Sequence, residues 1–524
     1  MRPPSFVLGA GLLFAFACAP AAPPSPPAGS TTGGAVQPTA TLAADQSINV
    51  GVHNIFATMD PMTTLGTNPN RYGVFESLIG QDDDGKLIPQ LATEWRQVND
   101  TTWQFKMATN HRWHDGTPVT ADDVVFTYAR ALDPARRSPI VSRMGRINGA
   151  TKVDQYTVNV TVAEPDPLLL VRVRMVPILP KAYIERVGDA EFEAKPIGSG
   201  PFKVAFWKAQ DRITIERNPE HPTIKPTLER ITVRYIPEAS ARLAGLRSGE
   251  LDAINQTPVD QADALRAAGF SIVPFNTGSS WGAWMDSIIE GSPTRDRRVR
   301  QAINYAIDKE AIARVIFKGL TIPEQGQVIQ RETFGFNPNL KPYPYDPAKA
   351  RQLLAEAGYP TGFTIRMDAY LFNAEMQQVY PFLQAQLKEV GIETQITQYS
   401  DSGSNSDRFF GRVARAPITG VSLTNLPALD ADFALAWFSP SQQTGGARRY
   451  DNMEFDRLFN ASQREMDPQK REKLLQEAVA VMHDDPPYLF LVQGTIVWTH
   501  SPKLDNFNRR ADGDPPYYKI RKLA

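Results

Sequence analysis

The sequence predicts a mixed α/β body of more than one lobe, behind an N-terminal leader that does not fold. Three observations predict it. The chain has 524 residues, more than one compact domain usually holds. Period-two strands and capped, amphipathic helices succeed one another without a repeat. The hydrophobic fraction is 42% and the formal net charge is −1, so real cores are available and no single charge sign dominates. Balanced charge excludes a sequence-independent nucleic-acid binder, which needs a basic face to displace counterions. The one dense basic run, RDRRVR at 295–300, reads as the solvated start of a helix.

The leader comes first. Arg2 precedes the apolar FVLGAGLLFAFA, and residues 1–17 read as an export signal. That run is shorter than the roughly 20 residues a spanning helix needs. Cys18 is the only cysteine, so no internal disulfide can form. Its place at the cut predicts lipidation, against ordinary cleavage nearby. Residues 18–44 are mostly Pro, Ala, Ser, Thr and Gly and carry no charge, a composition that cannot bury enough surface to fold. They read as a tether spanning on the order of 30 Å.

The folded body is next along the chain. TTWQFKM (101–107), YTVNVTV (156–162) and DRITIER (211–217) alternate and predict half-buried strands. Val299, Ala302, Ile303, Ala306 and Ile307 fall at helical spacing, and Asp308 caps a second short helix that Gly319 closes. Asp346-Pro347 opens a helix that ends at Gly358, and Asp467-Pro468 opens another. The class is therefore α/β or α+β.

The stretch WHDGTPVTADDVVFTY (113–128) concentrates His114, Asp115, Asp122 and Asp123. DGTP reads as a turn, and Thr120 with Asp123 as a capping box opening a helix. His111-x-x-His114-Asp115 could instead ligate a metal, but a structural zinc site needs about four ligands in compact spacing. His483-Asp484-Asp485 reads as a helix end. GQDDDGK (80–86) has phosphate-loop spacing, yet Leu87 stands where Ser or Thr is needed and three aspartates would repel phosphate. GSSWG (278–282) matches a hydrolase elbow with Ser280 as nucleophile. An elbow needs a helix directly after it, and the chain reaches Gly291 and Ser292-Pro293 before a useful helix could form.

Beyond these motifs, the chain resembles the extracellular solute-binding proteins of ABC transporters, family 5, the peptide/nickel/opine type. Residues 87–134, with the WHDGTPVTADDV core, carry the resemblance. So do PIGSGPFKVAFWKAQDRITIERNPEH (196–221), ARLAGLRSGELDAI (241–254) and the segments opening at Arg298, Tyr345 and Arg471. The resemblance implies a periplasmic-binding-protein-like fold with two lobes and a hinge. Lobe I would comprise 45–87, 197–275 and 500–524, enlarged by an additional domain at 88–196. Lobe II would be 276–499, with the hinge at Phe275, Asn276 and Thr277.

The resemblance also implies binding without chemistry, no cofactor and no metal. A peptide or similar small solute would lie between the lobes and pass to membrane permease subunits. The protein would be monomeric, and periplasmic or at the cell surface through Cys18. Opines, oligosaccharides and metal chelates remain alternative solutes, and sensing or chaperoning an alternative role. Cleft residues would be Thr67, Asn68, Trp281, Trp284, Thr424, Asn425 and Asp430. Relatives hold a peptide amino group with an aspartate at the position of Leu426, so Asp430 or Asp432 would have to substitute.

Overall fold

The computed structural model describes residues 41–54, 57–64, 72–411, 413–425, 429–443, 447–508, 510 and 515–524. Its main sheet has ten strands. In chain order they are β1 (Ser47–Val52), β2 (Phe202–Lys208), β3 (Arg212–Arg217), β4 (Arg230–Tyr235), β5 (Ala253–Ile254), β6 (Ser271–Met285), β7 (Phe363–Tyr370), β8 (Ile392–Tyr399), β9 (Ile418–Thr424) and β10 (Tyr488–His500). They lie in the order β8-β7-β9-β6-β10-β5-β1-β4-β3-β2. β6 and β10, with 15 and 13 residues, run antiparallel at the middle. Among the described strands, they alone join those on one side to those on the other.

A separate four-stranded antiparallel sheet is built from Ala92–Asn99, Thr102–Met107, Ile147–Asp154 and Thr157–Val162. Its alternation is the one legible in the sequence: Val158, Val160 and Val162 point inward, and the residues between are half-exposed.

Among the described residues, three large cores and a small cluster around Leu246 and Leu265 form around this frame. The first gathers β1, the four-stranded sheet, Phe275, Trp498 and the C-terminal Tyr517 and Ile520. The second contains Trp281, Ala283 and Met285 with Ile303, Leu383 and Leu489. The third contains Trp284, Val421, Leu435, Phe459 and Tyr488. One strand, β6, thus feeds all three. The pleat sends residues an odd number apart to opposite faces, so Trp281 and Trp284 enter different cores.

The expected helix starts are present. Asp346, Asp467 and Asp308 each accept from backbone N–H groups one turn on, at 2.8 to 3.0 Å. β6 runs through the GSSWG stretch and continues to Met285. An irregularity between Asn276 and Ser280 in the pairing with β10 absorbs the glycine-serine stretch without ending the strand. Gly278 takes φ +61° there, and Gly278 N–H donates to Asn276 Oδ1 at 2.9 Å.

Candidate functional site

The stretch from Trp113 to Tyr128 resolves into folding contacts. Trp113–Gly116 is a turn, with Asp115 Oδ1 accepting from Thr117 N at 3.0 Å. Asp123 Oδ2 accepts from Thr120 N at 2.8 Å, closing the capping box, while Asp123 Oδ1 accepts from Lys181 N at 2.9 Å. His114 Nδ1 accepts from Gly198 N at 3.0 Å, so its Nε2 carries the proton and donates to Gly200 O at 3.0 Å. Burial pushes the His114 pKa down to about 4, which keeps this neutral tautomer in place.

His111 does find metal-capable neighbours, though not His114. Glu76, His111 and His221 form a buried trio. Glu76 Oε2 lies 3.2 Å from His111 Nδ1, and Glu76 Oε1 lies 3.2 Å from His221 Nε2. His221 Nδ1 accepts from Ile224 N at 3.0 Å. That fixes the proton on Nε2, making it a donor to Glu76 rather than a metal ligand. Burial alone would raise the Glu76 pKa; hydrogen bonds from both histidines outweigh it and hold it at about 2. Sequence spacing gave no sign of this trio, because Glu76 lies 35 residues from His111 and 145 from His221.

The elbow reading of GSSWG fails on geometry. Ser280 sits inside β6, not at a strand-to-helix turn, and is fully buried. The candidate partners are committed elsewhere: His483 stacks on Tyr343 and contacts Lys341 O at 2.9 Å, and His500 stacks on Phe507. Behind Ser280 lies Glu324, fully buried, with neither carboxylate oxygen hydrogen-bonded. Burial raises its pKa to about 8, which favours the protonated form.

A hollow of about 520 Å³ opens where β6 and β10 cross between the two halves of the sheet. Thr277, Ser279, Trp281 and Thr495 form its floor. One wall is Glu238, Arg242, Gln256 and Thr257; the other is Phe317, Leu320, Phe372, Glu375 and Ser422. Trp281 is held by Phe317 at 5.9 Å and edge-on by Phe372 at 5.1 Å between ring centroids. A smaller hollow of about 230 Å³ lies by Asn276 and Gly278, with Asp83, Asp84, Gln330 and Glu332 around it.

The structure divides the expected cleft residues. Trp281 lines the larger hollow. Thr424 sits at the exposed end of β9, in register with Ser279. Trp284 does not belong to the cleft: it is 1% exposed, packs edge-on against Phe438 at 5.9 Å and lies under Arg449. Asn425 is likewise spent on structure, its Nδ2 donating to Gln330 Oε1 at 2.8 Å and Val328 O at 3.0 Å. Asp430 is buried and takes both guanidinium arms of Arg471 at 2.7 Å, so it has no carboxylate to offer an amino group. Asp432 is also buried and accepts from Gln463 Nε2 at 2.9 Å. Phe275 packs on Trp498 and Phe507, whereas Asn276 and Thr277 bond to Gln493 Oε1 and Gly494 O at 3.0 Å across the crossing strands. Cys18, Thr67, Asn68 and Leu426 lie outside the described residues.

Sequence reasoning missed both walls of the hollow. Arg242 lies inside the ARLAGLRSGELDAI block and Gln256-Thr257 just after it, Phe317, Phe372 and Glu375 lie further along the chain, and nothing in their spacing marks a site.

A two-part sheet joined by two long strands, with a polar and aromatic hollow at the crossing, defines a solute receptor of the periplasmic-binding-protein type. Residues 86–446 match the bacterial extracellular solute-binding proteins, family 5, and the chain belongs to that family. It is 29% identical over 482 residues to the glutathione-binding protein GsiB of Pectobacterium atrosepticum, covering 89% of this chain and 91% of that one. Among solved structures, it resembles the periplasmic binding protein DppA of Helicobacter pylori in complex with peptide STSA. The TM-score is 0.76 at 24% identity, covering 91% of this chain and 98% of that one. Similarity to NikA of Brucella suis in complex with Fe(III)-EDTA gives a TM-score of 0.81 at 21% identity, covering 91% and 99%. The protein is a solute-binding component of an ABC importer.

Proposed function

We propose that the protein captures a peptide or similar small solute in the hollow at the β6–β10 crossing and presents it to membrane permease subunits. The observation that carries this reading is the hollow's lining, which comes from both sides of the two long strands, β6 and β10, at the middle of the sheet. A ligand touching both walls favours the arrangement that brings them together. The proposed halves are lobe I (45–87, 197–275, 500–524) with its additional domain (88–196), and lobe II (276–499). Phe275–Thr277 is the proposed hinge, beside the ladder irregularity at Asn276–Ser280.

Glutathione is the named ligand of one relative and a short peptide of another; the backbone-rich, aromatic-floored hollow suits such extended molecules. No catalytic role is proposed. The exported, monomeric body is held at the membrane surface by a lipid on Cys18, beyond the tether. Among the described residues no helix is long and apolar enough to cross a membrane.

Native mass spectrometry of protein purified without denaturation tests the reading, paired with small-angle scattering before and after dialysis against the carried molecule. A bound small molecule and a smaller radius of gyration with it present are expected. A protein that carries nothing, and whose scattering no peptide or nutrient solute changes, would end the proposal.

A further inference from the structure

We propose that the solute carries a cationic nitrogen, an ammonium or guanidinium, and that the Glu375 carboxylate receives it. This rests on the solute-binding reading above. Among the described residues, Arg242 is the only Lys or Arg lining the larger hollow. Its guanidinium is buried and turned to the wall, donating to Asn255 O, Ile236 O, Pro237 O and Gln256 O at 2.6 to 3.2 Å. It stiffens the wall and has almost no donor left for an anionic solute.

The acids are placed differently. Glu375 lines the hollow, precedes the helix Met376–Glu389 and makes no side-chain cap bond. Its Oε1 accepts one long bond, from Val259 N at 3.3 Å. Among the described residues, no Lys or Arg lies within ion-pair distance of Glu375 or of Glu238 on the opposite wall. Burial raises the Glu375 pKa, and nearby Asp260 adds to it. A partly desolvated carboxylate without a counter-ion gains most when a ligand cation arrives.

The rest of the hollow agrees with such a ligand. Trp281, Phe317 and Phe372 offer the ring faces that attract cations. The smaller hollow by Asn276 is also acidic. Asp83, Asp84 and Glu332 line it and no Lys or Arg does, among the described residues; of these acids, Asp83 pairs with Lys519 at 2.5 Å.

The test is a thermal-shift screen of the full chain against free peptides, N-acetylated peptides, polyamines, sugars and dicarboxylates. Each hit is then measured by calorimetry on the parent, Glu375→Gln and Glu238→Gln. Hits are expected to carry an ammonium or guanidinium group. Glu375→Gln, which keeps the acceptor for Val259, should weaken them by roughly 10- to 100-fold, with Glu238→Gln costing less. Tight binding of N-acetyl-tri-alanine, a sugar or a dicarboxylate would overturn the inference and leave solute binding standing. So would cationic hits that Glu375→Gln binds as well as the parent does. A screen without any hit would remove the solute-binding reading itself.

Discussion

Trp281 and Gly494 lie so close across the crossing strands that a β-carbon on Gly494 would come 2.6 Å from the indole Nε1. It would also come 2.6 Å from Thr277 Oγ1, which donates to the Gly494 carbonyl. The glycine is required by space, since both neighbours belong to the floor of the hollow. Gly494→Ala should therefore cost about 1–3 kcal/mol in stability, as overpacking does, and tilt the indole. Denaturant melts and the tryptophan emission maximum would show both effects; an unchanged spectrum with unchanged stability would mean the floor yields freely.

The two tryptophans of β6 should separate function from packing. Trp281 faces the hollow, and Trp284 sits in the third core with 1% of its surface exposed. Trp281→Phe should weaken solute binding by about tenfold, or 1.4 kcal/mol, beyond whatever stability it loses from the second core. Trp284→Phe should lower stability by about 1–3 kcal/mol and leave affinity alone. Calorimetric affinity and thermal melts on both variants decide it, and a Trp284 variant that loses affinity without losing stability would restore it to the cleft.

Glu324 gives the protein a pH signature. Its folded pKa of about 8 stands above the ordinary 4.5, so the folded state holds a proton that the unfolded chain has released. This penalty is absent below pH 4.5, grows as pH rises towards 8 and is constant above it. Glu324→Gln removes the charge and should flatten that slope. At pH 9 the variant should be more stable than the parent by up to about 4 kcal/mol, and at pH 5 within about 1 kcal/mol. Urea titrations at the two pH values provide the comparison.

Glu76 works with the opposite sign. His111 and His221 hold its pKa at about 2, below the ordinary 4.5, so its stabilising contribution is present above pH 4.5 and is lost as pH falls through 2. Glu76→Gln should cost about 3 kcal/mol at pH 7 and much less at pH 3. Equal losses at both pH values would show that packing, not charge, accounts for the cost.

How far the sequence reaches depends on the range of the contact. Caps, turns and alternation are decided within a few residues, so the helix starts at Asp346 and Asp467 and the box at Thr120–Asp123 were legible. Family likeness extended this to the two-lobe architecture. Partners brought from afar were not legible. Asp430 reads as a free carboxylate until Arg471 folds against it, and the His111–Glu76–His221 trio is assembled from three distant segments. The passage of β6 through GSSWG is carried by its partner β10, which no local pattern reveals.

A final expectation concerns contacts between the 88–196 and 276–499 regions. Arg146 Nη1 donates to Gln463 O at 2.7 Å. Arg172, anchored by Asp166 at 2.8 Å, stands 3.9 Å from Asp432 and 5.8 Å over the Phe433 ring. In the proposed two-lobe reading these contacts hold the halves together away from the hinge. They are partly buried, so losing both guanidinium groups should cost more than surface pairs do. Arg146→Ala with Arg172→Ala should shift the balance towards the open arrangement by about tenfold, or 1.4 kcal/mol. Scattering should then give a larger radius of gyration without solute, and apparent affinity should fall although no ligand contact has been touched. Arg172→Lys keeps the charge but not the planar fork, and should fall between the two. If the double variant scatters and binds like the parent, these contacts do not govern closure.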